Sequence, residues 1–307
     1  MVKHYKNFNI QKIHKGSIIL IGNFDGLHLG HQKLFQLAQS YKKKYNLKIG
    51  VVNFDPMPKM FFNKKLKNFR LSNIDQKIKL LSNLKVDFVI TKKFDKKFSK
   101  IKALNFISQI LNKKLSSKFI FVSNNFRFGN KREGSVKLLK KYEKLFEYKV
   151  VKPEPLIKSK KTVSSSLIRA LLEEGNLDKA NILLNRNWSI QGTVKKGRQI
   201  GKKIGYPTCN IDIKDYVLAK PGVYAVKVLR KNNNKYLKGI ANLGYRPTFN
   251  QKKILLEVHL FNFSGNLYNK LLSVEFLKFI RKEKKFGNVN QLRVQIKKDL
   301  NIAKKTK

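Results

Sequence analysis

Cysteine is nearly absent, with a single residue in a chain of 307. That count excludes an internal disulfide framework and a cysteine-rich zinc or iron–sulfur centre. Acidic side chains are also scarce: 18 Asp plus Glu stand against 68 Lys plus Arg, a formal net charge of +50. Long apolar runs are missing, and no stretch approaches the ~18 residues of a membrane-spanning helix. The start, MVKHYKNFNIQKIHKG, has neither the apolar core nor the small-residue cleavage site of a secretory leader. A cytoplasmic protein without a membrane partner is expected. What is present argues for a folded chain, since 42% of residues are hydrophobic and 11% aromatic, with 22 Phe and 11 Tyr. The length fits two domains of ordinary size.

The basic excess first suggests a nucleic-acid binder. Its distribution points elsewhere. The cations are spread along the chain, and only ten are arginine. Lysine supplies charge, whereas arginine supplies a fixed fork. A solvated lysine surface is therefore expected, together with attraction for a small polyanion such as ATP, and no specific nucleic-acid partner.

The first half alternates strand-like and helix-like runs. SIILI at 17–21 precedes GNFDGLHLGH, and Leu34, Leu37, Ala38 and Tyr41 then fall on one helical face. Strands are predicted at 47–54, 86–90 and 118–123, with helices near 73–84, 99–111 and 164–175. Repeated strand–helix units predict a mostly parallel sheet covered by helices. Beyond residue 186 the pattern changes to short strands separated by Gly, Asn and Pro, which predicts an antiparallel barrel or sandwich closed by a terminal helix. The expected division is 1–185 and 186–307.

Two constellations carry chemistry. In the first, Gly22, Asn23, Phe24, Asp25 and Gly26 lead to His28, Gly30 and His31, between a strand and a helix. That is where α/β proteins bind nucleotides. The glycines permit close backbone approach to phosphate. Two histidines three apart can point one way from the first helical turn and stabilise charge growing on a phosphate. The segment is no Walker A loop, because Gly-Lys-Ser/Thr is absent. In the second constellation, Gly197, Gly201 and Gly205 precede Pro207, Thr208, Cys209 and Asn210. Thr208 and Asn210 share one face of an extended chain and offer hard neutral oxygens suited to a magnesium-bound nucleotide. Cys209 points the other way. Glu257, one of nine glutamates, shares a strand face with Leu255, His259 and Phe261.

The first segment resembles the HxGH signature of the nucleotidyltransferase superfamily. In the longer form GxFDGxHxGH it resembles the bacterial bifunctional riboflavin kinase/FAD synthetase family. NFDPMP at 53–58 is similar to that family's TFxPHP, with Asn53 and Met57 where the family has threonine and histidine. NNFRFGNKREG at 124–134 resembles its flavin and nucleotide loop, with Asn125 at a position that is often Asp. VSSSLIR at 163–169 resembles its ISSTxxR phosphate motif, PTCN its PTxN motif, ANLGYRPTF at 241–249 its NxGxRPT strand, and FIRKEKKF at 279–286 the segment that closes over the flavin.

The resemblance implies a Rossmann-like HxGH nucleotidyltransferase domain followed by an antiparallel β-barrel riboflavin kinase domain. It implies that ATP phosphorylates riboflavin to FMN, and that FMN is then adenylylated by ATP to FAD and pyrophosphate, both with Mg²⁺. It places His28, His31, Ser164, Ser165 and Arg169 on ATP phosphates, and Asn125, Phe126, Arg127 and Phe128 in the flavin and nucleotide loop. Thr208 and Asn210 become metal and ATP ligands, Glu257 the general base, and Arg281 a flavin contact. For Phe126 and Phe128 the residues alone leave core and ring-binding roles open. Arg127, Arg132, Arg169, Arg198, Arg246 and Arg281 all fall in motif blocks. A monomer is expected. The alternatives are a riboflavin kinase with an impaired adenylyltransferase half, or a nucleic-acid binder.

Overall fold

The computed structural model describes residues 2–197, 201, 204–213, 215–230, 235–248 and 251–306, with backbone alone at 246–248 and 251–253. Arg198 lies outside the described residues, and the Arg246 side chain is not described. The chain forms two compact units: Met1–Lys67 with Ile74–Ser164, and Asn68–Asn73 with Ser165–Lys307.

The first unit is built on a six-stranded parallel sheet. Its strands are β1 (Lys3–Tyr5), β2 (Ile18–Ile21), β3 (Ile49–Asp55), β4 (Phe88–Lys93), β5 (Phe119–Phe121) and β6 (Lys149–Val151). Their order across the sheet is β1-β4-β3-β2-β5-β6. Strand β2 sits inside the sheet with every residue buried, as expected when both faces of a parallel sheet are covered. Alternation divides it between two cores. Ile18 and Leu20 join Phe35, Ala38 and Val51; Ile19 and Ile21 join Ile107, Leu111 and Ile120. Helices α1 (Leu29–Tyr45) and α2 (Ile74–Asn83) supply residues to the first core. The segment Phe106–Lys114, which winds as a π-helix, supplies the second. The helix expected over 99–111 is broken into Lys96–Ser99, Ala103–Asn105 and this π segment. Strands β1 and β6 were not expected; each is only three residues long.

The second unit begins with α3 (Ser165–Glu174) and α4 (Leu177–Leu184). A closed six-stranded barrel follows. Its strands are β7 (Ser189–Lys195), β8 (Cys209–Asp212), β9 (Gly222–Arg230), β10 (Tyr236–Thr248), β11 (Gln251–Leu260) and β12 (Leu271–Arg281), and α5 (Val289–Lys305) ends the chain. The pairings are antiparallel throughout. Alternate residues such as Ile211, Leu243, Leu256, Val258, Val274 and Phe276 are fully buried. Trp188 packs on Phe276 at 4.8 Å between ring centres. Its indole N–H donates to the Leu71 carbonyl at 3.0 Å. Segment Asn68–Asn73 is thereby part of this unit: Phe69 and Arg70 donate backbone N–H groups to the Asp215 carbonyl at 2.8 Å. Among the described residues no helix is long and apolar enough to cross a membrane.

Candidate active sites

In the first unit the chain leaves β2 through a tight loop with Phe24 in the left-handed region, then enters α1 at His28. The His28 and His31 rings stack at 3.7 Å with 21° between planes. The Phe24 ring meets His31 edge-on at 5.2 Å. Gly30 makes this possible, because a Cβ there would lie 3.2 Å from both the His28 ring and the Val163 carbonyl. Burial first, then the charges of His28 and Lys77, hold His31 well below the ordinary imidazole value of 6.5. His31 is therefore neutral near pH 7, with one N–H to donate and no competing charge. Its Nδ1 is buried without a hydrogen-bond partner among the described residues, as is Asn23 Oδ1.

The same unit contains a cavity of about 680 Å³ walled by Phe54, Phe62, Phe94, Phe98, Phe106, Phe126 and Phe128 and rimmed by Lys59, Arg127, Lys131 and Arg132. Phe126 and Phe128 stack at 5.4 Å with 18° between planes. Both line the cavity, and Phe128 also belongs to the core. Phe126 precedes the two-residue strand Arg127–Phe128, which frees it from strict alternation. Asn125 is exposed, within 3.3 Å of Ser123 Oγ. Met57 and Asn53 are buried. Ser164 closes the first unit, and Ser165 opens α3 in the second. Arg169 is buried there, with its guanidinium 3.7 Å over the Phe69 ring and Nε donating to the Phe69 carbonyl at 2.7 Å.

On the barrel, register builds the second site. Asn210 pairs with Glu257, Glu257 with Asn242, Asn242 with Val223, and Val223 with Arg281. Residues directly opposite in antiparallel strands share a face. This row crosses β8, β11, β10, β9 and β12 on the side away from the barrel core. All five residues line one cavity of about 360 Å³, together with Gly201, Thr208 and His259. Leu292 and Ile296 of α5 also line it. Asn210 is buried with its Oδ1 lacking a hydrogen-bond partner among the described residues. Gly197 is required beside it, since a Cβ there would collide with the Asn210 amide.

His259 lines the same cavity as Glu257, its ring oriented by the Nδ1–H bond to the Pro207 carbonyl at 2.8 Å. Cys209 is pushed up to about 11 by burial, so its thiol stays protonated. Arg281 donates Nε and Nη2 to the buried Asp299 of α5, at 2.9 and 2.7 Å to Oδ2.

Comparison with known proteins agrees with this two-site layout. The family profile described as FAD synthetase matches residues 10–167, and that described as riboflavin kinase matches 184–307. A bifunctional riboflavin kinase/FMN adenylyltransferase from Buchnera aphidicola of Schizaphis graminum is 43% identical over 97% of this chain and 96% of its own. The chain belongs to the bifunctional riboflavin kinase/FMN adenylyltransferase family. The Escherichia coli K12 member is 37% identical over 93% of this chain and 91% of its own. Among solved structures, the crystal structure of a macrolide-efflux protein from Streptococcus pneumoniae superposes with a TM-score of 0.87 at 28% identity, covering 100% of this chain and 99% of that one. Both halves of the expected architecture, the parallel sheet and the closed barrel, are present in this chain.

Sequence reasoning passed over several residues that line the two cavities. Asn242 and Glu283 face the barrel cavity, and Asn242 lies inside the ANLGYRPTF motif already singled out. The phenylalanines at 54, 94, 98 and 106 come from separate elements, so no spacing rule could collect them. Lys77, buried on α2, acts on His31 through its charge, and nothing in its helical pattern marks it.

Proposed function

We propose that the chain converts riboflavin to FAD in two ATP-dependent steps, with residues 1–185 carrying adenylyl transfer and 186–307 carrying phosphorylation. In the barrel site Glu257 accepts the proton of the ribityl 5′-hydroxyl as that oxygen attacks the ATP γ-phosphate, giving FMN and ADP. Thr208 and Asn210 hold the nucleotide end. In the sheet unit the FMN phosphate attacks the ATP α-phosphate and pyrophosphate leaves. His28 and His31 stabilise the charge that develops there. Ser164, Ser165 and Arg169 grip the triphosphate, while Asn125, Phe126, Arg127 and Phe128 hold the flavin side. Arg281 acts at the flavin end of the barrel cavity.

A magnesium ion fits the barrel site by donor chemistry. The described residues hold no group of three or more His, Cys, Asp or Glu side chains suited to a metal. The orphaned Asn210 Oδ1 beside Thr208 instead suits an ion that keeps phosphate and water as its other ligands. Bound there, the ion would neutralise charge on the transferring phosphoryl group.

The observation that carries the reading is the row Asn210–Glu257–Asn242, which sets an oxygen ligand and a carboxylate side by side in one cavity. The proposed partners are small molecules, and the use of ATP suits a cytoplasmic setting. A product time course with riboflavin, ATP and Mg²⁺ tests it: FMN should accumulate first and FAD follow. FMN without FAD, even when FMN is supplied, would restrict the activity to the kinase half.

A further inference from the structure

The barrel cavity holds a second carboxylate that phosphoryl transfer leaves without a task. Glu283, just past the end of β12, lines the cavity, and Asn242 Nδ2 donates to its Oε1 at 3.2 Å. Gly244 leaves room for it: a Cβ there would run into the Glu283 carboxylate. Asn242 is also the cross-strand neighbour of Glu257, so the two side chains start ~5 Å apart on one face. The pair therefore offers acceptors, the remaining carboxylate lone pairs and the Asn242 amide oxygen, one strand away from the proposed base.

We propose that Asn242 and Glu283 read the secondary hydroxyls of the ribityl chain and so set the kinase's preference for a polyol-bearing flavin. This rests on the kinase reading above. Hydroxyls are donors, and an ionised carboxylate is their strong partner. The ring imide N–H is another donor that a flavin offers, but it lies at the far end of the molecule from the 5′-hydroxyl. The secondary hydroxyls lie next to the 5′-hydroxyl, as Asn242 lies next to Glu257. A site built to bond a substrate hydroxyl rejects the analogue without it, because its own polar groups are then left unpaired.

The test compares kcat/KM for riboflavin, for N3-methylriboflavin and for an isoalloxazine carrying a plain hydroxypentyl chain, in wild type, Glu283→Gln and Glu283→Ala. FAD formation from supplied FMN in the same samples reports that the chain is folded. Glu283→Ala should lose about 10- to 100-fold on riboflavin and on its N3-methyl derivative. It should turn over the hydroxypentyl flavin at the slow wild-type rate, so that the preference for the polyol collapses. Glu283→Gln, which keeps one acceptor oxygen, should fall between. Equal losses on all three flavins would overturn the proposal. A loss that spares the N3-methyl flavin would assign Glu283 to the ring imide and overturn it as well. A wild-type protein that phosphorylates no flavin would remove the kinase reading itself, and this inference with it.

Discussion

Replacing Asp299 by Asn should loosen the wall of the barrel cavity. Asp299 is 2% exposed on α5. It accepts from Arg281 Nε at 2.9 and 3.0 Å, from Arg281 Nη2 at 2.7 Å and from Gln295 Nε2 at 2.8 Å. The substitution keeps the shape but turns an acceptor into an amide whose NH₂ opposes the guanidinium. Removing one partner of a buried pair costs ~3–5 kcal/mol. The Arg281 side chain remains 16% exposed, and water recovers part of that, which leaves about 2–3 kcal/mol. For a unit of this size the loss lowers Tm by about 5–10 °C. The chain's single Trp, Trp188, is buried in the same unit, so its fluorescence during heating reports this unit directly. Because Leu292 and Ile296 of the same helix line the cavity, KM for riboflavin should rise more than kcat falls. A Tm within about 2 °C of wild type, with KM unchanged, would refute the idea that this pair fixes the helix.

Glu257→Gln should suppress FMN formation while leaving FAD formation from supplied FMN near wild type; a flavin time course separates the two, and persistence of FMN formation would reassign the base. Gly197→Ala should disable the kinase preferentially, since the new Cβ displaces the Asn210 amide, and a raised KM for ATP in steady-state assays is the signature. Cys209→Ala should retain kinase activity, and the native thiol, raised to about 11, should resist alkylation by iodoacetamide at neutral pH. His14 and His31 both sit below the ordinary 6.5 in the folded chain, chiefly through burial. The unfolded chain therefore binds protons first, and the stability they contribute is full above about 6.5 and declines as pH falls toward their folded values. Thermal melts between about pH 5 and 7 should shift upward with pH, and a flat profile would contradict the histidine burial.

The local elements were legible where the signal is short-range. The apolar run before GNFDGLHLGH and the helical face after it place His28 and His31 at a strand-to-helix loop without any tertiary information. The alternation around Glu257 likewise puts it on a strand face with His259. What sequence could not supply is pairing. That Asn242 stands between Glu257 and Val223 depends on the register of three successive strands, which turn residues alone do not fix. The bond from His259 to Pro207 depends on a further pairing, that of β8 with β11. The edge strands β1 and β6 are too short to show periodicity. Arg281 was expected from its motif to touch flavin; it does line the cavity, but its bidentate hold on Asp299, 18 residues away, gives it a second duty.

Segment 68–73 has a consequence for how the chain matures. Its contacts with Asp215, Val217 and Trp188 stitch an early stretch into a unit that is otherwise synthesised last; the Trp188–Leu71 bond alone spans 117 positions. The barrel unit therefore cannot complete itself from its own continuous stretch of polypeptide, and such long-range closure slows folding. A fragment begun at residue 186 would leave the indole N–H of Trp188 and the backbone at 215–217 without these mates. Expressed alone from residue 186, the barrel half would fold without these bonds and should be less stable than in the full chain.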